Sequence, residues 1–243
     1  MFREISSVFS FLTIFPASSA TLENIAKYMF VFPIVGIVIG LLVGSFGFGL
    51  SLLLEETLLV SLLVVTSIVI VTGIHHTDGL ADFADGLMVK GNKDKKLKAM
   101  KDLSTGSAGI VAIVLYLIGL IVTLSLTNSG FDLLKAILIS EILAKFSMVM
   151  MASLGNSATM GSNSPFVQIM KDRKKLALAF VLMLIPVIVI GESIGFVMLG
   201  VSVILTLFLL YLSTRSFGGI TGDVLGATNE LIRLASLMVF VSI

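Results

Sequence analysis

The chain has 243 residues, 57% of them hydrophobic and only 13% charged, with a net charge of +1 and no cysteine. Soluble domains carry about 25% charged residues, so this much apolar surface cannot be hidden inside a water-soluble globule of this length. The composition excludes a disordered chain, a nucleic-acid-binding domain and a disulfide scaffold, and the lack of cysteine removes thiolate metal sites and cysteine nucleophiles.

At the N-terminus, Phe2–Phe15 places Phe2, Ile5, Val8, Phe9 and Leu12 at helical spacing beside Arg3, Glu4 and serines. That pattern predicts an amphipathic helix lying in the membrane interface or tucked under a bundle. It lacks the unbroken apolar core and small-residue cleavage site of a secretory signal. Seven apolar runs then meet the length expected of a transmembrane helix. They are Val31–Leu54, Thr57–Ile74, Ser107–Thr127, Leu133–Leu154, Leu176–Ile190, Ser193–Ser213 and a last run ending at Ile243, which Glu230 and Arg233 interrupt. The expected fold is an all-α polytopic transmembrane helix bundle of about seven spans, one integral membrane domain over residues 1–243.

Basic residues set the orientation. With the N-terminus inside, the cytoplasmic segments hold Arg3, Lys27, six lysines from Lys90 to Lys101, the Lys171–Lys175 cluster and Arg215, which is 13 of the 16 basic residues. The opposite loops hold Glu55, Glu56, Asp132 and Glu192. The polar and glycine-rich segments 75–109, 155–175 and 215–230 then all face the cytoplasm. A plasma-membrane protein working at its cytoplasmic face follows from that placement. A transporter would instead carry its charges near the midplane, with symmetry between its halves.

The segment Gly73–Gly86 carries the densest chemistry. Asp78, Asp82 and Asp85 stand at i, i+4 and i+7, which puts them in a stripe about 60° wide on one helical face. Carboxylates this close repel one another unless protonated or bridged by a cation. Oxygen-only ligands favour a hard ion such as Mg²⁺, which shares its shell with phosphate oxygens. The alternative is a solvated helix end with incidental acids. His75 and His76 precede the stripe; either suits a general base near neutral pH or a hydrogen-bonding structural role. Two adjacent histidines do not share a helix face, which argues against a joint zinc site.

The lysine-rich loop Lys90–Lys101 reads as an anchor at anionic headgroups, with attraction of an anionic nucleotide as a second role. Lys101, Asp102, Ser104 and Ser107 then lead through glycines into the third span. A helix start of this kind presents backbone N–H groups to phosphate, although ordinary capping gives the same pattern.

Taken together these motifs resemble the cobalamin synthase family, the adenosylcobinamide-GDP ribazoletransferases. Gly73–Gly86 is similar to its Gly-Gly-Leu-His-x-Asp-Gly-Leu-Ala-Asp-x-Ala-Asp-Gly signature, with His76 at the histidine position and Ile74 replacing the second glycine. Phe11–Pro16 is similar to its Phe-Leu-Thr-Arg-Ile-Pro opening, Phe32–Gly36 to its Phe-Pro-x-Val-Gly, and Gly218–Ala227 to its Gly-Gly-x-Thr-Gly-Asp block. Met100-Lys101-Asp102, with Gly106 and Gly109, fits a further motif, but Leu103-Ser104 stands where many members have Ser-Arg. Glu141–Lys145 resembles its Glu-x-x-Ala-Arg with lysine for arginine, which loses bidentate geometry.

The resemblance implies a transferase joining adenosylcobinamide-GDP to α-ribazole or its 5′-phosphate, with release of GMP. It implies Mg²⁺ on Asp78, Asp82, Asp85 and Asp102, and catalytic roles for Asp82, His76 and Asp223. Lys101, Ser104, Ser107, Lys145 and Glu141 become the phosphate-binding set. Asp223 would alternatively cap the last helix, and Glu141 and Lys145 would alternatively form a buried ion pair. Asn156, Ser162 and Asn163 form a polar loop suited to a base or the corrin amides. Partners would be the two substrates and membrane lipid, with no nucleic acid; a homo-oligomer and an assembly with other corrinoid-pathway enzymes are compatible with the family.

Two rivals remain. Asp82-Phe83-Ala84-Asp85-Gly86 satisfies the opening of the CDP-alcohol phosphotransferase motif, but its downstream glycine and aspartates are absent at the required spacing. A cation transporter would use the aspartates as its ion site; the one-sided charge distribution opposes it.

Overall fold

The computed structural model describes residues 2–16, 21–158 and 164–243. The described residues are mostly helical: α1 Phe2–Leu12, α2 Leu22–Lys27, α3 Phe32–Ser51, α4 Thr57–Thr72, α5 His75–Met88, α6 Lys93–Met100, α7 Ser107–Ser125, α8 Gly130–Leu154, α9 Ser164–Ile169, α10 Arg173–Phe217 and α11 Gly222–Ser242. Among the described residues the only extended pairing is an isolated bridge between Ser157 and Ile220.

Local chemistry sets most boundaries. Pro33 opens α3, where its missing N–H is no loss. The side chains of Asn92, Ser129 and Thr221 each accept a backbone N–H at the start of α6, α8 and α11. Gly218, at φ 86, ends α10 in the left-handed conformation that closes many helices.

Among the described residues, five helices are long and apolar enough to cross a membrane, or six if α4 and α5 are taken as one bent span. The longest, α10, runs 45 residues, and a straight helix of that length would measure about 67 Å. It is a hairpin. Glu192 adopts φ 49 and ψ −130, and a Cβ built on Gly195 would lie 2.4 Å from the Val187 carbonyl oxygen, eight residues back. Its two legs correspond to the separate runs Leu176–Ile190 and Ser193–Ser213, so each of the seven apolar runs has its own helix.

At the centre stands α8, buried without a break from Ala136 to Ala152 and surrounded by α3, α10 and α11. A helix apolar on every side needs neighbours on every side. By contrast α7 turns Ile110, Val111, Val114, Leu115, Ile118 and Val122 outward, the surface expected to meet lipid chains.

The tightest seam joins α3 to α8. A Cβ on Gly36 would fall 2.6 Å from the Glu141 carbonyl oxygen, and one on Gly40 would fall 2.7 Å from Leu138 Cα. Small residues let helix backbones touch in this way. Gly36→Ala is therefore expected to destabilise the protein by about 1–3 kcal/mol, the usual cost of overpacking. Gly49→Ala, whose new methyl meets nothing within 4 Å, is expected to be neutral or slightly stabilising. Thermal unfolding of the two variants in detergent micelles checks both.

The loops after α3 and α7 meet at one end of the bundle, where Ser51, Glu55, Thr57, Ser129 and Gly130 line a shared cleft. The starts of α5 and α11 meet α1 at the other end. The amphipathic helix stops at Leu12 rather than Phe15 and buries Val8 and Leu12. Beyond it the Ile14 N–H donates to the Val71 carbonyl at 2.9 Å, tying the N-terminal segment to the end of α4. Run four begins earlier than its apolar residues indicate, at Gly130, because the Ser129 cap sits there. The final run is one unbroken helix, and Glu230 and Arg233 are inside the bundle rather than at its edge.

Candidate active site

The site is organised by a bend. Gly73 adopts φ 69, a conformation that strains residues with a Cβ, and the chain turns by 94° from α4 into α5. The shorter helix α5 therefore lies across the bundle end, outside the five spanning helices, and packs against α11 and α7. Two glycines make the crossing close. A Cβ on Gly79 would lie 3.0 Å from Asp223 Cα, and one on Gly226 would lie 3.2 Å from His76 Cα. The backbones thus touch where the aspartate stripe begins, and Asp223 is delivered beside Asp78 and Asp82.

Burial first, and then the charges of Asp223, Asp78 and Asp85, push the Asp82 carboxyl up from 3.8 to about 6. Asp78 is exposed and Asp82 half-buried. Asp223 lies in the first turn of α11, where the Thr221 hydroxyl caps the helix and also donates to Asp223 Oδ2 at 3.3 Å. The cap belongs to Thr221 and not to Asp223, whose capping alternative is thereby overturned, and Asp223 lines the cavity.

Asp85 has a different task. Its two oxygens accept the backbone N–H groups of Gly106 at 2.7 Å and Gly109 at 2.9 Å. It caps α7 from another helix and holds the amides that the sequence pattern offered to phosphate. A Cβ on Gly106 or Gly109 would fall within 2.6 Å of this carboxylate, so both glycines are there to let it in. Ser107 is exposed on the same helix start. Lys101, Asp102 and Ser104 line a separate surface recess with Asp94 and Lys98, and Asp102 accepts the Ser104 N–H at 3.0 Å. Among the described residues, no group of three or more histidines or carboxylates is arranged to enclose a metal ion.

A cavity of about 480 Å³ opens beside the acids, between α1, the start of α5 and the start of α11. His75, His76, Asp78 and Asp223 line it together with Phe11, Phe32, Met148 and Phe166. His75 is exposed, whereas His76 is buried with its Nδ1 3.5 Å from Asn229 Nδ2 and 3.9 Å from Glu230 Oε1.

Behind His76 lies a buried polar network. Arg233 donates to Glu141 Oε1 at 2.5 Å and to its Oε2 at 3.3 Å, and also to Glu230 and to Tyr116. Tyr116 donates to Glu230. Lys145 reaches Asn229 Oδ1 at 2.7 Å and Glu141 Oε2 at 3.3 Å. Glu141 and Lys145 are fully buried and neither lines the cavity, so the structure places the two proposed phosphate contacts inside the bundle as a paired, hydrogen-bonded set. Two acids and two bases balance there, which makes burial tolerable. Tyr116, Asn229, Glu230 and Arg233 were not singled out from the sequence as site residues. The signal was the interruption of the last apolar run by two charges three residues apart, since ionisable groups at membrane depth are rarely incidental.

Asn156 is exposed, and its carbonyl accepts the Ile220 N–H at 2.8 Å, pinning the polar loop to the start of α11. Ser162 and Asn163 lie outside the described residues.

The fold and site define a class: a polytopic helical membrane protein with a cavity at one end, lined by acids and aromatic rings. Within that class the chain belongs to the cobalamin-5-phosphate synthase family, which it matches over residues 4–241. Its similarity to individual members extends over nearly the whole length. It is 34% identical to an adenosylcobinamide-GDP ribazoletransferase of Pyrococcus abyssi, covering 96% of this chain and 95% of the relative. A protein of the same name from Methanocella arvoryzae is 33% identical over 96% of this chain and 93% of its own. Another from Archaeoglobus fulgidus is 32% identical over 98% and 96%. No solved structure matches the chain.

Proposed function

We propose that this protein joins adenosylcobinamide-GDP to α-ribazole, or to its 5′-phosphate, yielding adenosylcobalamin or its 5′-phosphate and GMP. The observation that carries the reading is full-length similarity to ribazoletransferases, together with Asp78 and Asp223 lining one cavity and Asp82 close enough to feel the charge of both. A ribose hydroxyl oxygen of the ribazole, other than the 5′ oxygen that carries the phosphate in the alternative nucleophile, forms a bond to the cobinamide-side phosphorus. The bond from that phosphorus to the bridging oxygen breaks, and GMP leaves with the bridging oxygen. Reactions of this type need charge neutralisation and alignment more than covalent participation by the protein.

Asp78 and Asp82 would hold Mg²⁺, because a pair of mutually repelling carboxylates plus substrate phosphates is a common way to bind this ion. When bound, it neutralises the pyrophosphate and the departing GMP. Asp223 accepts the proton of the attacking hydroxyl. Asp85 fixes the α7 start against the stripe, and Lys101 supplies positive charge near Asp223. His76 is held by Asn229 and lines the cavity floor. The protein sits in the plasma membrane with this site in the cytoplasm, a placement supported by the concentration of lysine and arginine at the cavity end.

The test is turnover of protein in lipid vesicles given adenosylcobinamide-GDP, α-ribazole and Mg²⁺, with GMP and the corrinoid product separated by chromatography. Equimolar GMP and cobalamin, lost on chelation, is the expected result. No product from either nucleophile, with CMP released from a CDP-activated alcohol instead, would overturn it. An acid limb is expected in the pH profile of the free enzyme. Asp82 must be ionised, and its carboxyl titrates at about 6, so kcat/KM falls as the pH drops through that value. Bound cation opposes protonation, so raising Mg²⁺ moves the limb to lower pH.

A further inference from the structure

The cavity has two unlike kinds of lining residue and a restricted size. Phe11 and Phe166 stack with ring centroids 5.6 Å apart and planes inclined by 25°, and Phe32 lies 6.4 Å from Phe11 at 34°. With Met148 they make an apolar cluster that lines the cavity. The same cavity is lined by Asp78 and Asp223, which accept but do not donate hydrogen bonds when ionised. Such a pairing suits a ligand with a planar apolar ring at one end and hydroxyl donors at the other. The volume of about 480 Å³ lies within the range of small-molecule sites, about 300–1,000 Å³. A nucleoside fits it; a corrinoid carrying a nucleotide, several times larger, does not.

We propose that this cavity is the acceptor-nucleoside subsite, with the fused aromatic base on the Phe11–Phe166 pair and the ribose hydroxyls on Asp78 and Asp223. The inference rests on the proposed activity and deepens it, because it assigns the two substrates to different places. The nucleoside enters from the side of α1, whose Phe11 remains 37% exposed, so an apolar base partitioning into the membrane interface reaches the rings directly. The larger anionic substrate docks outside, on the open face carrying Lys98 and Lys101. Asp223 lines the cavity and lies close enough to Lys101 to feel its charge, and that closeness brings the hydroxyl to the pyrophosphate.

Binding and turnover are measured separately, with α-ribazole as the probe and protein in nanodiscs. Loss of an aromatic stacking partner weakens base binding by roughly 10-fold in comparable sites. Phe11→Ala, half in contact with the interface, is expected to raise both the dissociation constant and the KM for α-ribazole about 10-fold. The KM for adenosylcobinamide-GDP and the affinity for GMP are expected to stay as in the parent protein. Phe166→Leu provides the second variant, since it keeps an apolar filler at a buried position and removes only the ring. Unchanged α-ribazole binding in both variants, or a rise in the corrinoid KM instead, would overturn the subsite. Nucleoside binding without any GMP release would retain the subsite and overturn the activity. GMP release with an unaltered KM in both variants would do the reverse.

Discussion

Arg233→Ala is expected to lower the thermal stability of the protein in lipid nanodiscs more than any other single truncation within the membrane. Arg233 is 1% exposed and bonds Glu141, Glu230 and Tyr116 together. Removing it leaves two buried carboxylates with Lys145 as the only full cation, and breaking a buried pair in this way costs about 3–5 kcal/mol. Neutralising one partner along with it separates charge from shape. Arg233→Met combined with Glu230→Gln is expected to recover most of that loss, because Glu141 and Lys145 remain paired, no uncompensated charge is left and the volumes are similar. A double variant as unstable as Arg233→Ala would show that the network holds the bundle by its geometry rather than its charge balance. A single variant that melts with the parent would sink the idea altogether.

The same network marks the boundary of what the sequence made legible. Apolar length and basic-residue asymmetry indicated seven helical runs, and each has its helix, because lipid forces backbone groups to pair within a segment. Run boundaries set by a single special residue were less visible. The α4–α5 bend depends on Gly73 at positive φ, and the α10 reversal on Glu192, whose unusual backbone no propensity foretells. The aspartate stripe was legible because helical spacing alone puts Asp78, Asp82 and Asp85 on one face. Their division of labour was not. Asp85 turns to α7, about 20 residues later in sequence, while Asp82 turns to Asp223, on the last helix. Only the glycine-to-backbone crossing of α5 and α11 decides that, and a crossing is a tertiary fact. The aromatic lining was equally hidden, since Phe11 and Phe166 are each an ordinary apolar residue until α1 folds over the cavity.

That division of labour gives a pair of substitutions with opposite signs. Asp82→Asn is expected to reduce kcat by about 10²–10³, the usual loss when a preorganised charge-stabilising group is removed. The same variant is expected to unfold at a higher temperature than the parent at pH 7.5. Burial and neighbouring acids hold the Asp82 carboxyl at about 6 in the folded protein, against an ordinary value of 3.8. A folded pKa above the unfolded one means that ionisation favours the unfolded chain. The cost begins as the pH rises past about 4 and is complete above about 6. Asparagine carries no such cost, so the stability gain over the parent should shrink as the pH is lowered from 7.5 towards 4. Asp85→Asn should do the opposite. Its carboxylate accepts two backbone N–H groups at the start of α7, and an amide offers one acceptor oxygen for two donors. Loss of a helix cap costs about 0.5–2 kcal/mol, so this variant should melt below the parent at pH 7.5. Calorimetry of both variants without substrate, beside their GMP release rates, measures each prediction. A destabilised Asp82→Asn would mean that its carboxylate is a structural ligand like that of Asp85. An inactive, stabilised one would locate at Asp82 the electrostatic strain that a cation and a pyrophosphate relieve.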